Sequence, residues 1–277
     1  MSHSLARHTV VRSLVRSGTV ATFMLVSLLV PTARAQTDYY NTSAGRPLRI
    51  EDASPVEYRG VELDLAPVRW EKSRDAANRW FLHPEVAVGV FPRTQLQIGV
   101  PVALVDERTS SATGVSGIEI SALHALNAET SIPAFALAAE VMLPVGALGT
   151  EATYGTLKAI MTRTLRTARI HANAQVTLGP TVRDLEVNVG GLDVSRWLAG
   201  VAVDRTFPLR SFLLSVESFV EQPIRDGSTL EWNAGAGARV QLAPRWALDG
   251  GVGRRLTGDD QVWYVTLGSA YALGLPW

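Results

Sequence analysis

The chain has no cysteine among its 277 residues. A disulfide framework and a thiolate metal site are therefore both excluded, and so is lipid anchoring through a cysteine at a processed amino terminus. An exported protein of this composition must hold itself together by burial or by closing a sheet on itself. Long apolar runs are scarce too. Val20 to Val30 is apolar but too short to span a bilayer as a helix, and beyond Gln36 no run reaches that length. Any crossing of a membrane then falls to strands. Charge of one sign is missing as well: 26 basic residues face 26 acidic ones. Four of the arginines (Arg7, Arg12, Arg16 and Arg34) lie in residues 1–35, which hold no acid, so 22 basic groups remain against 26 beyond them. That mildly acidic balance argues against a nucleic-acid partner.

Residues 1–35 read as a signal peptide. Arg7, Arg12 and Arg16 form the basic region, Val20–Val30 the apolar region, and Ala33-Arg34-Ala35 an A-x-A cleavage site. Cleavage is expected near Ala35, with residues 36–55 a polar, patternless periplasmic leader and 56–277 one barrel domain.

From Tyr58 onward the dominant signal is alternation. Leu96, Ile98, Val100, Val102 and Leu104 alternate with Gln95, Gln97 and Gly99. Ile170, Ala172, Ala174, Val176 and Leu178 alternate with His171, Asn173, Gln175 and Thr177. The same period recurs through Trp263, Val265 and Leu267 into Tyr271, Leu273, Leu275 and Trp277. Period two with one greasy face marks strands. About twelve segments of roughly nine to eleven residues match the length a tilted strand needs to cross a bilayer. Short turns such as Phe91-Pro92-Arg93-Thr94, Asn127–Ser131 and Ala243-Pro244-Arg245 alternate with longer polar connections such as the charged loop Trp70–Asn78, Asp106–Thr113 and Val182–Asp193. The expected fold is all-β: a transmembrane antiparallel up-and-down β-barrel whose last strand seals against the first. Trp80, Trp197, Trp232, Trp246, Trp263 and Trp277 fall near strand ends, as interfacial girdle residues do.

If the greasy rows face lipid, the opposite rows line the lumen. Its candidates are Glu85, Glu119, Glu140, Lys158, His171, Glu217, Glu231, Arg239, Asp249 and Arg255, with Glu62, Asp64, His83, Asp204 and Glu221 in the same phase. Such mixed charge can bridge a hydrated interior or line a permeation path. No catalytic residue, cofactor or metal site is expected. Beyond Gln36 there are three histidines, His83, His124 and His171, with no GxSxG or HExxH element, and no serine held beside His171 is evident. Late-strand glycines (Gly235, Gly237, Gly251, Gly253, Gly268) share the lumen phase, where they permit close approach from across the barrel.

Two stretches carry a family likeness. Ile50-Glu51-Asp52-Ala53, followed by Gly60-Val61-Glu62-Leu63-Asp64, resembles the opening acidic-Ala stretch and first strand of the outer-membrane barrel family named for the meta-pathway of phenol degradation. The glycine-rich late strands and aromatic terminus fit as well. The resemblance implies an outer-membrane barrel moving small solutes, aromatic or hydrophobic ones among them, and supplies no catalytic residues. The function expected is passive passage of small solutes through the outer membrane of a Gram-negative bacterium, with outer-membrane lipid and the barrel-assembly machinery as partners. The alternatives are a structural or adhesive barrel plugged by its own side chains, and a lipid-modifying enzyme dependent on His171.

Overall fold

The computed structural model describes residues 41–43, 46–72, 78–106, 111–182, 194–208, 211–258 and 261–274. The expected signal peptide, its cleavage site and Trp277 lie outside the described residues.

Twelve antiparallel strands form one sheet in chain order. They are β1 (Gly60–Lys72), β2 (Asn78–Leu82 continued by Glu85–Phe91), β3 (Thr94–Gly99 continued by Val102–Asp106), β4 (Ser111–Val115 continued by Ile118–Ala125), β5 (Ala134–Leu143) and β6 (Tyr154–Thr164). The second half comprises β7 (Arg169–Leu178), β8 (Ser195–Phe207), β9 (Phe212–Pro223), β10 (Glu231–Ala243), β11 (Trp246–Arg255) and β12 (Trp263–Gly274). β12 pairs with β1 along the whole ladder, from Gly60 opposite Gly274 to Lys72 opposite Trp263. The sheet closes on itself and leaves no edge to protect. Helices are absent from the described residues.

Alternation decides which face is which. Along β9, Leu214 is 46% and Val216 55% exposed, while Ser215 and Glu217 between them are 5% and 6% exposed. A soluble sandwich would reverse that order. Outward aromatic side chains gather in two bands. Trp80, Trp197, Trp232 and Trp263 ring the end with the longer connections, and Phe91, Phe135, Trp246 and Tyr271 ring the other.

Three segments depart from the sequence expectation. The stretch taken as a charged loop, Trp70–Asn78, is strand as far as Lys72 and again from Asn78, with Trp70 opposite Trp80. Part of the stretch read as a loop before β4, Ser111–Thr113, already pairs with β3. The connection 126–133 is longer than a barrel's short turns. It stays ordered because Glu129 accepts the Thr164 backbone N–H at 2.7 Å and Arg163 donates to the Thr130 carbonyl at 2.7 Å.

β1 to β4 also share a break in the ladder at one level. The register shifts between Leu65 and Val68 in β1. Opposite it lie His83-Pro84 in β2, then Val100-Pro101 in β3, then Ser116-Gly117 in β4. Proline has no N–H to give to a ladder, and Pro67, Pro84 and Pro101 fall on this line. The freed carbonyls are used locally. Val100 N–H donates to the Pro84 carbonyl at 3.1 Å and Ser116 N–H to the Pro101 carbonyl at 2.8 Å.

Candidate functional site

The site is the barrel interior, and the chain itself enters it. The described part of the segment expected to be a periplasmic leader, 41–43 and 46–55, lies among the inward side chains. It was unreadable as structure because its backbone is satisfied by side chains of distant strands instead of by a ladder of its own. Each backbone N–H from Arg49 to Val56 has a named acceptor. Glu217 Oε2 takes those of Arg49 (2.8 Å) and Ile50 (2.9 Å). Asn173 takes that of Glu51 at 2.9 Å and returns its amide to the Glu51 carbonyl at 2.9 Å. Asp52 N–H donates to the Thr42 carbonyl, Ala53 N–H to Thr162 Oγ1 and Ser54 N–H to Asp52 Oδ1. Pro55 has none to give, and Val56 N–H donates to Gln95 Oε1 at 2.8 Å.

Charge fixes the start of this segment. The Arg46 guanidinium, with no exposed surface, lies 2.7 Å from Asp64, 3.2 Å from Glu62 and 3.7 Å from Asp249. Burial works against its charge, but the three carboxylates outweigh burial and hold its pKa above the ordinary arginine value. Asp52 behaves in the opposite way. Burial pushes its carboxyl above the usual range, against the pull of Arg169 and His171. Two apolar anchors complete the fit. Ile50 packs with Leu198, Ala202 and Phe219, and Ala53 with Leu123, Ala125, Ala136 and Ile160. The lumen glycines form the floor: a Cβ at Gly237 would sit 2.8 Å from Pro47 Cβ, and one at Gly251 would sit 2.7 Å from the Pro47 carbonyl.

The ten inward residues picked from the sequence divide by task. Glu217, Lys158, Asp249 and Arg239 hold the segment: Lys158 pairs with Glu51, and Arg239 donates to the Asn41 carbonyl. Glu231 and Arg255 bridge β10 and β11 at 2.6 Å. Glu85 and Glu119 flank His83, and Glu140 lines the space beside them. His171 binds Asp204 at 2.9 Å and Thr162 at 3.0 Å. Asn173, Thr162, Gln95 and Arg46 were missed as site residues. Polar residues in lumen phase were visible in sequence for the first three, but nothing local marks them as ligands for a backbone.

Between the segment and the wall remains a cavity of about 210 Å³. Glu51, Glu85, Glu119, Glu140 and Glu217 reach it, with Lys158 among them and Phe81, Leu82 and Met142 supplying apolar wall. Thr162, His171 and Asp204 lie in the order of a hydroxyl, base and acid relay. Thr162 Oγ1, however, already accepts the Ala53 N–H, and His171 is 1% exposed. With the segment seated, a substrate has no approach to that hydroxyl.

No family model matches the sequence, and no curated protein matches it. Solved structures do. The COG4313 outer membrane channel from Pseudomonas putida F1 superposes with a TM-score of 0.57 at 12% identity, over 80% of this chain and 98% of that one. The NanC porin superposes at 0.47 with 9% identity, over 76% and 100%. Outer membrane phospholipase A from Escherichia coli does so at 0.44 with 8% identity, over 87% and 98%. At 12% identity the likeness to the COG4313 channel is one of architecture, and it joins the closed ladder and outward apolar rows in one conclusion: this chain has the fold of the outer-membrane β-barrels.

Proposed function

We propose that the protein is an outer-membrane channel for small solutes, closed at rest by its own residues 46–56. The observation that carries this reading is the way that segment is held. Its contacts are hydrogen bonds and ion pairs to the lumen wall, with two small apolar anchors. Polar contacts can be exchanged for water when the segment leaves, whereas a permanently filled core is packed with apolar groups. The cavity beside it is a vestige of the passage. More carboxylates than cationic groups line it, which favours neutral or cationic solutes over anions. The aromatic or hydrophobic solute class rests on the resemblance of Ile50–Ala53 and Gly60–Asp64 to the meta-pathway family.

The test is single-channel conductance in a planar bilayer. Full-length protein should show rare, small openings, and Arg46→Ala should raise open probability at least tenfold. If hydrogen exchange shows the segment released in Arg46→Ala while the bilayer stays silent, the barrel is structural and the channel reading falls.

A further inference from the structure

One cluster on the inner wall plays no part in holding the segment. Glu85, Gly99 and Glu119 form a single row across three neighbouring strands, with Gly99 opposite Glu85 on one side and Glu119 on the other. A side chain at the middle position would keep the two carboxylates apart. Glycine leaves a notch, and the His83 ring, set over it by the break at Pro84, fills that notch. A Cβ at position 99 would lie 2.5 Å from His83 Nε2.

The ring nitrogens reach both acids. His83 Nδ1 is 3.3 Å from Glu85 Oε1, and Nε2 is 3.6 Å from Glu119 Oε2. One donor atom from each residue lies within 4.8 Å of the others. A single ion takes one ring nitrogen; with Nε2 as that donor, rotation of the Glu85 carboxylate toward it brings the three donors to the roughly 3–3.5 Å spacing of ligands about 2.0–2.2 Å from a shared ion. Nε2 is shielded from solvent yet has no hydrogen-bond partner. The cations within electrostatic reach are engaged elsewhere: Lys158 with Glu51, and Arg46 with Asp64 and Glu62. All three side chains border the cavity, which has room for water ligands.

We propose that His83, Glu85 and Glu119 bind one divalent cation of the zinc class on the inner wall of the barrel. One imidazole beside two carboxylates selects such a borderline ion over calcium or magnesium, which take oxygen donors. The site joins β2 to β4 across the broken part of the ladder. Its existence does not depend on whether the barrel conducts.

Full-length protein without a histidine tag, stripped by chelator and held in detergent, is titrated with zinc by calorimetry, and bound metal is counted by elemental analysis. One ion per chain is expected, unaffected by a hundredfold excess of calcium. His83→Ala and the double variant Glu85→Gln/Glu119→Gln should each weaken binding at least tenfold. Gly99→Ala, which keeps every donor but displaces the ring, should do the same. His124→Ala, on the outer face, should change nothing. Closure of each variant is checked by its faster migration when unboiled. Absence of zinc binding by the wild type, or equal affinity in closed wild-type, His83→Ala and Gly99→Ala barrels, overturns the proposal.

Discussion

The broken and the unbroken strands of the barrel wall treat the chain inside them differently. β7 to β12 are unbroken apart from single register shifts near strand ends, and they grip. Asn173, Glu217, Arg239 and Thr266 hydrogen-bond to residues 41–51, and Asp249 forms an ion pair with Arg46 at 3.7 Å. β2 to β4 are each broken at the same level, and Gln95 in β3 accepts the Val56 N–H of the segment. The cavity borders these broken strands, with Pro101, Val102, Ser116 and Glu119 in its wall. A regular ladder fixes side-chain rows in register, which suits a row of ligands for an extended backbone. A broken ladder re-aims side chains and leaves space. The unbroken strands, together with Glu62 and Asp64 of β1, therefore hold the segment, and the broken strands leave room beside it.

The sharpest way to break that comparison is at the grip. Arg46→Ala leaves Asp64, Glu62 and Asp249 clustered without their buried counter-charge. Removing one partner from a buried ion pair costs about 3–5 kcal/mol. Amide exchange across residues 46–56 should then accelerate by about two to four powers of ten, at roughly 1.4 kcal/mol per tenfold. Loss of protection in β10 and β11 instead would mean that Arg46 supports the wall and not the segment.

A comparable effect separates the two kinds of strand directly. Glu217→Ala removes the acceptor of two backbone N–H groups. Hydrogen bonds to charged groups contribute about 1.5–3 kcal/mol each, so segment exchange should rise by two powers of ten or more. Glu140→Ala, in the cavity wall beside the broken strands, should change it less than threefold. Equal effects from the two would erase the division between gripping wall and cavity wall.

Much of this was legible in the sequence, and the limits are physical. Outward rows such as Leu214 and Val216 announce themselves because lipid demands apolar side chains at every second position. Inward rows are equally visible in phase. Register is not: Glu85 and Glu119 are neighbours through Gly99 because two turns have particular lengths, and no local pattern encodes that. The line of breaks left a trace in Pro67, Pro84 and Pro101, which could have been read as one feature across adjacent strands. The inserted segment left none. Its hydrogen-bond partners lie up to 219 positions away in sequence, so Ile50-Glu51-Asp52-Ala53 shows no period even though each of its backbone N–H groups has an acceptor.

The least of these effects concerns Asp52, whose side chain is 1% exposed. Arg169 lies 3.5 Å away, His171 acts from the same side, and Asp204 holds both of those. Burial raises the Asp52 pKa despite them. A carboxyl raised in the docked state binds its proton more tightly there than in the released segment. Its contribution to docking is therefore full below the ordinary carboxylate range and is lost as pH rises through the raised value. Exchange at residues 50–54, corrected for intrinsic rates, should reveal weaker docking as pH climbs from acid toward neutral. Asp52→Asn is neutral throughout and keeps an oxygen for the Ser54 N–H, so it should flatten that slope and dock more firmly at neutral pH. The gain should be smaller than the loss in either earlier variant. A slope that persists undiminished in Asp52→Asn would move the titrating group to the wall, where Glu217 is the carboxylate in direct contact with the segment's backbone.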